Sequence, residues 1–362
     1  MQPYIPQKLP PDNIEWSRLI QYLGPASAEV GRFDGIVQSM LNPTVLLSPL
    51  TTKEAVLSSK IEGTQATLQE VLSYEANPSK DKVESPDIQE ILNYRKAIYS
   101  ASEWLNDKPI SLNMFRYLHS ILMDSVRGQN RSPGEFRKLQ NWIGAPGCTI
   151  ENATYVPPSP NTILVALDNL EKYINSDSEN LLVQTAIIHA QFEIIHPFLD
   201  GNGRLGRILI TMYLYIRGLI SSPVFYLSEY FEAHRDEYYY HLNCITKDNN
   251  WTDWIIFFLI AVKEQSKRNF EKAKQIIDLY EVKKKKITEL THSQFALYIV
   301  DTLFKMPLFN SSQFAKESHI PVGTSRRLLK ILNENEVISE VEPGAGRTPT
   351  SYVFNKLFDI VK

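Results

Sequence analysis

The chain has 362 residues, 43% hydrophobic and 22% charged, a composition typical of globular proteins and long enough for more than one domain. A formal net charge of −3 excludes binding to nucleic acid or anionic membrane that draws on overall positive charge, so any site for a polyanion has to be local. The two cysteines, Cys148 and Cys244, lie far apart and form no CxxC pair, which excludes a disulfide framework or a cysteine zinc site and makes a reducing cytoplasm the expected setting.

In chain order, the opening stretch MQPYIPQKLPPD carries neither the basic nor the apolar region of a secretory signal. Helical spacing of apolar residues predicts a helix over 51–76, begun after Pro49 by Thr51, Thr52 and Glu54, then helices over 86–106, 111–126, 161–176 and 181–194. Between them, IGAPGCTIENATYVPP (143–158) predicts a β-hairpin in which CTI and TYV flank a turn at Glu151 and Asn152. The runs ILITMYLYI (208–216) and WIIFFLIAV (254–262) are about half of the ~20 residues that a bilayer crossing needs, so buried helices and no membrane partner are expected.

The organisation changes near the basic run KKKK at 283–286. Helices are expected at 293–305, 311–319 and 322–335, followed by two strands within VISEVEPGAGRTPTSYVF, and this order resembles a winged helix-turn-helix. The expected division is therefore an amino-terminal helical region (1–110), a core (111–285) and a small module (287–362). Arg326, Arg327 and Lys330 would lie on the module's recognition helix and Arg347 in its wing. Because eight Lys/Arg face eight Asp/Glu in 287–362, DNA binding and a structural or protein-docking role both stay open.

The densest chemistry is in HPFLDGNGRLGR, from His196 to Arg207. Within it GNGRLG fits GxGxxG, yet the preceding LLVQTAIIHAQFEIIHPF is a helical pattern where a dinucleotide fold needs a strand. The alternative is a loop entering a helix at about 202–217. Gly201 and Gly203 let the backbone approach an anion, and the helix dipole favours it there. Arg204 and Arg207, three apart, can grip successive phosphates, and Asp200 is a hard-oxygen ligand suited to Mg2+ on phosphate oxygens. His196 can take a proton from a hydroxyl near neutral pH. His189, seven residues earlier on an apolar helix, is expected to be a hydrogen-bonded core histidine.

HPFLDGNGRLGR matches the Fic-family motif HxFx(D/E)GNGRxxR at every specified position, and the chain resembles that family. RSPGEFRKLQNWIG with ATYVPP resembles the approach to the family's flap, and YLSEYFEAHRDEYYYHL the stretch after its core helices, so the likeness runs over roughly 10–285. It implies a mainly α fold, a Fic helical bundle with a β-hairpin flap, and transfer of AMP from ATP, with Mg2+, to a Ser, Thr or Tyr hydroxyl of a protein target or of the chain itself. His196 would be the base and Asp200 the metal ligand. Gly201, Asn202, Gly203, Arg204, Gly206 and Arg207 would bind the nucleotide, with Asn202 and neighbouring amides at the α-phosphate and the two arginines at the β- and γ-phosphates. Phe198 would anchor the loop in the core. Gly203 stands where Doc-type kinases carry Lys, which disfavours phosphorylation. The flap near 148–156 would pair with a target segment, and Tyr226, Ser228 and Tyr230 would lie near the adenine.

SSKIEG (58–63) fits the family's inhibitory pattern [S/T]xxxE[G/N], with Ser58, Glu62 and Gly63 in place. The resemblance implies that Glu62 pairs with Arg207 and so denies it to the γ-phosphate. A homodimer is also compatible. Two other functions stay open: a nucleotide-sensing regulator that binds DNA through its carboxy-terminal module, and a hydrolase that removes AMP with Glu62 positioning water.

Overall fold

The computed structural model describes residues 2–77, 85–124, 129–145, 147–177, 180–345 and 348–362; Arg347 lies outside them. Six helices precede the flap: α1 (Trp16–Gln38), α2 (Pro43–Leu46), α3 (Ser48–Ile61), α4 (Leu68–Ala76), α5 (Pro86–Trp104) and α6 (Leu112–Leu122). After it come α7 (Ile163–Ile174), α8 (Leu181–Ile195), α9 (Asn202–Ile216), α10 (Ser228–Ala233), α11 (Arg235–Asp248) and α12 (Trp251–Thr291). The chain ends with α13 (Ala296–Lys305), β1 (Leu308–Asn310), α14 (Ser311–Glu317), α15 (Val322–Glu334), β2 (Ser339–Glu342), β3 (Ser351–Val353) and α16 (Asn355–Val361).

The bundle is organised around α8, apolar on nearly every side and buried at every residue except Leu181 and Glu193. A helix of that kind must lie inside. The Asn180 side chain caps it by accepting from the Leu182 and Val183 amides, and it stops at His196, whose backbone turns left-handed (φ 48°) ahead of Pro197. Against it packs α9, buried from Asn202 through Leu214. Two of the largest buried side chains, Trp251 and Trp254 of α12, close the far side, where Trp254 Nε1 donates to the Ala186 carbonyl at 2.9 Å.

The expected single helix over 51–76 is two. Gly63 takes φ +104° just after α3, and the chain restarts at Thr67, whose side chain accepts from the Glu70 amide while Glu70 accepts from the Thr67 amide. This reciprocal cap is what a helix start needs. Thr51 and Thr52 cap nothing: both are buried inside α3, and their hydroxyls turn to the Leu47 and Ser48 carbonyls. The flap is also less regular than a hairpin. Ile143 and Tyr155 form one antiparallel bridge, and Ile150–Asn152 curls into a 3-10 turn. Pro157 and Pro158 have no N–H to extend the ladder.

In the carboxy-terminal part the strands pair antiparallel in the order β1-β3-β2, with Leu308 opposite Val353 and a bulge between Glu340 and Glu342. This sheet seats on α4. Leu308 packs with Leu72 and Ala76, the side-chain amides of Asn310 and Gln313 donate to the Ala76 and Glu75 carbonyls, and Asn77 Nδ2 donates to Ser351 Oγ at 2.7 Å. The 41-residue α12, about 60 Å at 1.5 Å per residue, runs unbroken through positions 285–287. Its KKKK run serves docking: Lys283 is buried with Nζ 5.6 Å from the centre of the Phe354 ring, and burial, then the nearby Lys356 and Lys286 charges, lower its pKa to about 8. Among the described residues no helix is long and apolar enough to cross a membrane.

Candidate active site

His196 enters the site from the end of α8. Its Nδ1 lies 3.3 Å from the Glu193 carbonyl, which can only accept, so Nδ1 carries the hydrogen and Nε2 keeps its lone pair. Burial lowers its pKa to about 4, leaving the imidazole neutral near pH 7. Three residues hold the loop that follows, one from within it and two from distant parts of the chain. The Asn202 side chain accepts from the Phe198 amide and donates to the Phe198 carbonyl, both at 2.9 Å. His119 stacks on Phe198 with ring centres 3.8 Å apart, accepts from the Gly134 amide at Nδ1, and donates from Nε2 to the Asp200 carbonyl at 3.0 Å. Arg137, buried and lowered by that burial to about 10, donates from Nε to the His196 carbonyl at 2.9 Å.

His119 and Arg137 were not singled out from the sequence, although Arg137 lies in RSPGEFRKLQNWIG, because each works through main-chain carbonyls 59 to 81 residues away. Asn202, with neighbouring main-chain amides, was expected at the α-phosphate. Because its side-chain amide is committed to Phe198, what it offers an anion is its main-chain N–H at the start of α9.

At the amino end of α9, Arg207 is almost fully enclosed. Its Nε donates to Ser58 Oγ at 2.8 Å, and its NH2 to the Ser58 carbonyl at 2.9 Å and to Glu62 Oε1 at 2.7 Å. Burial alone would lower the arginine's pKa and raise that of Glu62. Their mutual attraction overrides both, so Arg207 is raised and Glu62 lowered, and both are charged. Glu54, one turn below Ser58, steadies α3 by accepting from Tyr94 of α5 and Ser228 of α10. Arg204 points to other carboxylates: NH1 lies 3.3 Å from Glu90 and NH2 3.3 Å from Asp200.

Two glycines leave room for acids. A Cβ on Gly203 would stand 2.1 Å from Glu62 Oε1, and one on Gly206 would stand 2.2 Å from Glu193 Oε1. Gly206 was expected to bind nucleotide. Instead it allows close packing of α9 on α8, and its carbonyl accepts from His189 Nδ1 at 3.1 Å. The other nitrogen of His189 accepts from Tyr238 at 2.9 Å, the hydrogen-bonded core histidine its surroundings suggested. Gly201, at φ +76°, holds the left-handed turn before α9.

A cleft of about 570 Å³ is lined by Glu62, His196, Gly203 and Arg207 on one side, by the flap residues Trp142 to Gly144 on another, and by Arg235, Tyr238 and Tyr239 of α11, while Asp200, Gly201, Asn202, Arg204 and Gly206 are not part of its lining. Tyr226, Ser228 and Tyr230 do not line it. Tyr226 bonds Thr51 at 2.8 Å, Ser228 bonds Glu54, and Tyr230 stacks on His234. The tyrosines on this cleft come one helix later, in DEYYYHL, where spacing alone did not separate wall from core. Among the described residues no three His, Cys, Asp or Glu side chains gather as a metal site. Asp200, half-exposed and accepting from the Gly201 amide at 2.6 Å, fits a Mg2+ whose other ligands are phosphate oxygens and water.

A helical bundle with an irregular flap and a histidine-to-arginine loop at the head of a buried helix defines the class. Residues 20–103 match the family described as Fic/DOC family N-terminal, and residues 109–214 match the Fic/DOC family, together more than half of the chain. The chain belongs to the Fic/DOC family. It is 30% identical over 162 residues to the protein adenylyltransferase Fic of Drosophila grimshawi, 42% of this chain and 31% of that protein. It is 26% identical over 197 residues to a probable protein adenylyltransferase of Aquifex aeolicus, 52% of this chain and 56% of that one. The chain thus spans about a third to a half of these relatives' lengths. In fold it is similar to a Fic family protein from Desulfovibrio desulfuricans G20 (TM-score 0.59, 18% identity, 98% of both chains). It is also similar to residues 134–508 of Fic-1 from C. elegans (TM-score 0.52, 19% identity, 73% of this chain and 74% of that one).

Proposed function

We propose that this protein transfers AMP from ATP to a hydroxyl of a protein target, and that Glu62 holds the reaction back in the state described. The observation that carries the reading is one cleft bordered by a neutral histidine with a free Nε2 and by an arginine that a carboxylate already occupies. The adenylyltransferase names of the relatives support the same chemistry. In the proposed reaction His196 Nε2 takes the proton of the target's hydroxyl as its oxygen attacks the α-phosphorus. The bond to the oxygen bridging α and β breaks, and pyrophosphate leaves with that electron pair. The Asn202 main-chain N–H and the α9 dipole stabilise charge on the α-phosphate, and Arg204 and Arg207 that on the leaving group. Mg2+ on Asp200 would neutralise phosphate charge when bound.

With Glu62 on Arg207, a triphosphate must displace a desolvated carboxylate or bind without its γ-phosphate held. Glu62→Gly is expected to raise transfer by roughly tenfold or more, the equivalent of one charge-assisted hydrogen bond. Mass spectrometry after incubation with ATP and Mg2+ reads it as the mass of AMP on the protein or on added proteins. Equal signals from wild type and variant would remove the inhibitory role, and a Glu62→Gly, His196→Ala double variant that still transfers would remove the base.

Residues 293–362 are read as a winged helix-turn-helix module. The support is three helices with the β1-β3-β2 sheet, and Arg326, Arg327 and Lys330 exposed on α15 while Leu328, Leu329 and Leu332 face inward.

A further inference from the structure

Arg204 sits in a place that ordinarily disfavours a cation. It is the third residue of α9, where the helix dipole and unpaired amides present positive charge, and its side chain is only 4% exposed. A buried guanidinium there requires counter-charge. Two carboxylates supply it, and they are not equivalent. Asp200 is 46% exposed, shares its Oδ1 with the Gly201 amide, and is the group expected to turn to a cation when nucleotide arrives. Glu90, on α5, is 14% exposed and lies 3.3 Å from NH1. Its Oε2 also accepts from the Thr64 hydroxyl at 3.4 Å, two residues past Glu62. Among the described residues, Arg204 Nε is buried with no partner of its own.

We propose that Glu90 is a positioning residue: it fixes the Arg204 fork at the head of α9 so that its remaining donors meet the β- and γ-phosphates. The inference rests on the nucleotide reading of the cleft. Once Asp200 is engaged by a cation, Glu90 is the carboxylate that still orients Arg204, and the rigid α5 carries it. Through Thr64 the same carboxylate touches the segment that bears Glu62, so both arginines of the loop are held by acids from the amino-terminal half: Arg207 from α3 and Arg204 from α5.

The test uses the full chain carrying Glu62→Gly, so that Arg207 is free, with ATP and AMP as probes in calorimetry and ATP in transfer kinetics. Glu90→Gln keeps the shape and removes the charge. The expected result is ATP affinity weakened roughly tenfold and KM raised in step, with AMP affinity and the melting temperature little changed, since AMP lacks the phosphates Arg204 would hold. Glu90→Asp is expected to fall between. Equal weakening of ATP and AMP would mean a merely structural role and overturn the proposal. Unchanged or tighter ATP binding would overturn it as well, the tighter case meaning that Glu90 restrains Arg204. Arg204→Ala in the same background separates the levels: weaker ATP binding there with none in Glu90→Gln sinks only the role of Glu90, whereas unchanged ATP binding in Arg204→Ala sinks the phosphate reading of this end of the cleft too.

Discussion

Glu193 shows how much one unpartnered acid does in this site. Its Oε1 is shut off from solvent without a hydrogen-bond partner among the described residues, and burial raises its pKa to about 8 against a partial opposing pull from Arg207. Between about pH 4.5 and 8 the folded state therefore holds a proton that the unfolded chain has released, so this group's contribution to stability declines as pH rises through that window. The buried histidines act in the opposite sense. His119 and His196, lowered to about 4, and His189, to about 3, cost stability as pH falls below the ordinary imidazole value near 6.5. Glu193→Gln mimics the protonated form and leaves the histidines untouched, so the difference between variant and wild type isolates the acid. Urea unfolding is expected to show little gain near pH 4.5 and a gain on the order of 4 kcal/mol at pH 8. A gain independent of pH would refute the assignment. Nothing in the sequence marked Glu193, because its proximity to Arg207 and Glu62 exists only after α8 and α9 have packed.

At the level of elements, what was legible and what was not divides by the range of the forces involved. Helix α8 announced itself through its strongly apolar pattern and its end ahead of Pro197, both local properties. The loop from His196 to Arg207 was equally local, and so His196, Gly203 and Arg207, which line the cleft, could be named by number. The break between α3 and α4 was also written locally, in Gly63 and in the Thr67–Glu70 reciprocal cap, but apolar periodicity running across 51–76 masked it. That break matters, because it leaves Glu62 as the carboxy-terminal cap residue of α3, free of helical geometry and able to reach Arg207. Thr67→Ala removes one half of the cap and should cost about 1 kcal/mol, read as a lower denaturation midpoint together with faster amide exchange at 68–71. If exchange there stays slow, the cap is not what starts α4. The flap was the harder case: β-type residues promised two strands, and the prolines on its exit limited them to a single bridge.

For the molecule as a whole, the sequence located three helices and the two later strands of residues 293–362 to within a few residues, missed the short β1 and α16, and gave no hint of where the module would sit. That is a matter of surfaces. Leu308 meets Leu72 and Ala76 across more than 230 positions of chain, and no periodicity encodes such a pairing. The contact has a measurable reach. Leu308→Ala is expected to destabilise by about 2–3 kcal/mol and to speed amide exchange in α4 as well as in the β1-β3-β2 sheet. Faster exchange confined to 293–362 would show that the sheet merely rests on α4 without supporting it.

The unbroken α12 has a mechanical meaning. Where a slack tether would let two halves swivel freely, this chain joins them by a stiff rod. Torsion or bending imposed at the carboxy-terminal end is passed along one continuous ladder of hydrogen bonds to Trp251 and Trp254 beneath the helix that ends at His196. Any signal received by the distal sheet and helices would then arrive as strain in the bundle, with no change in how close the two halves lie.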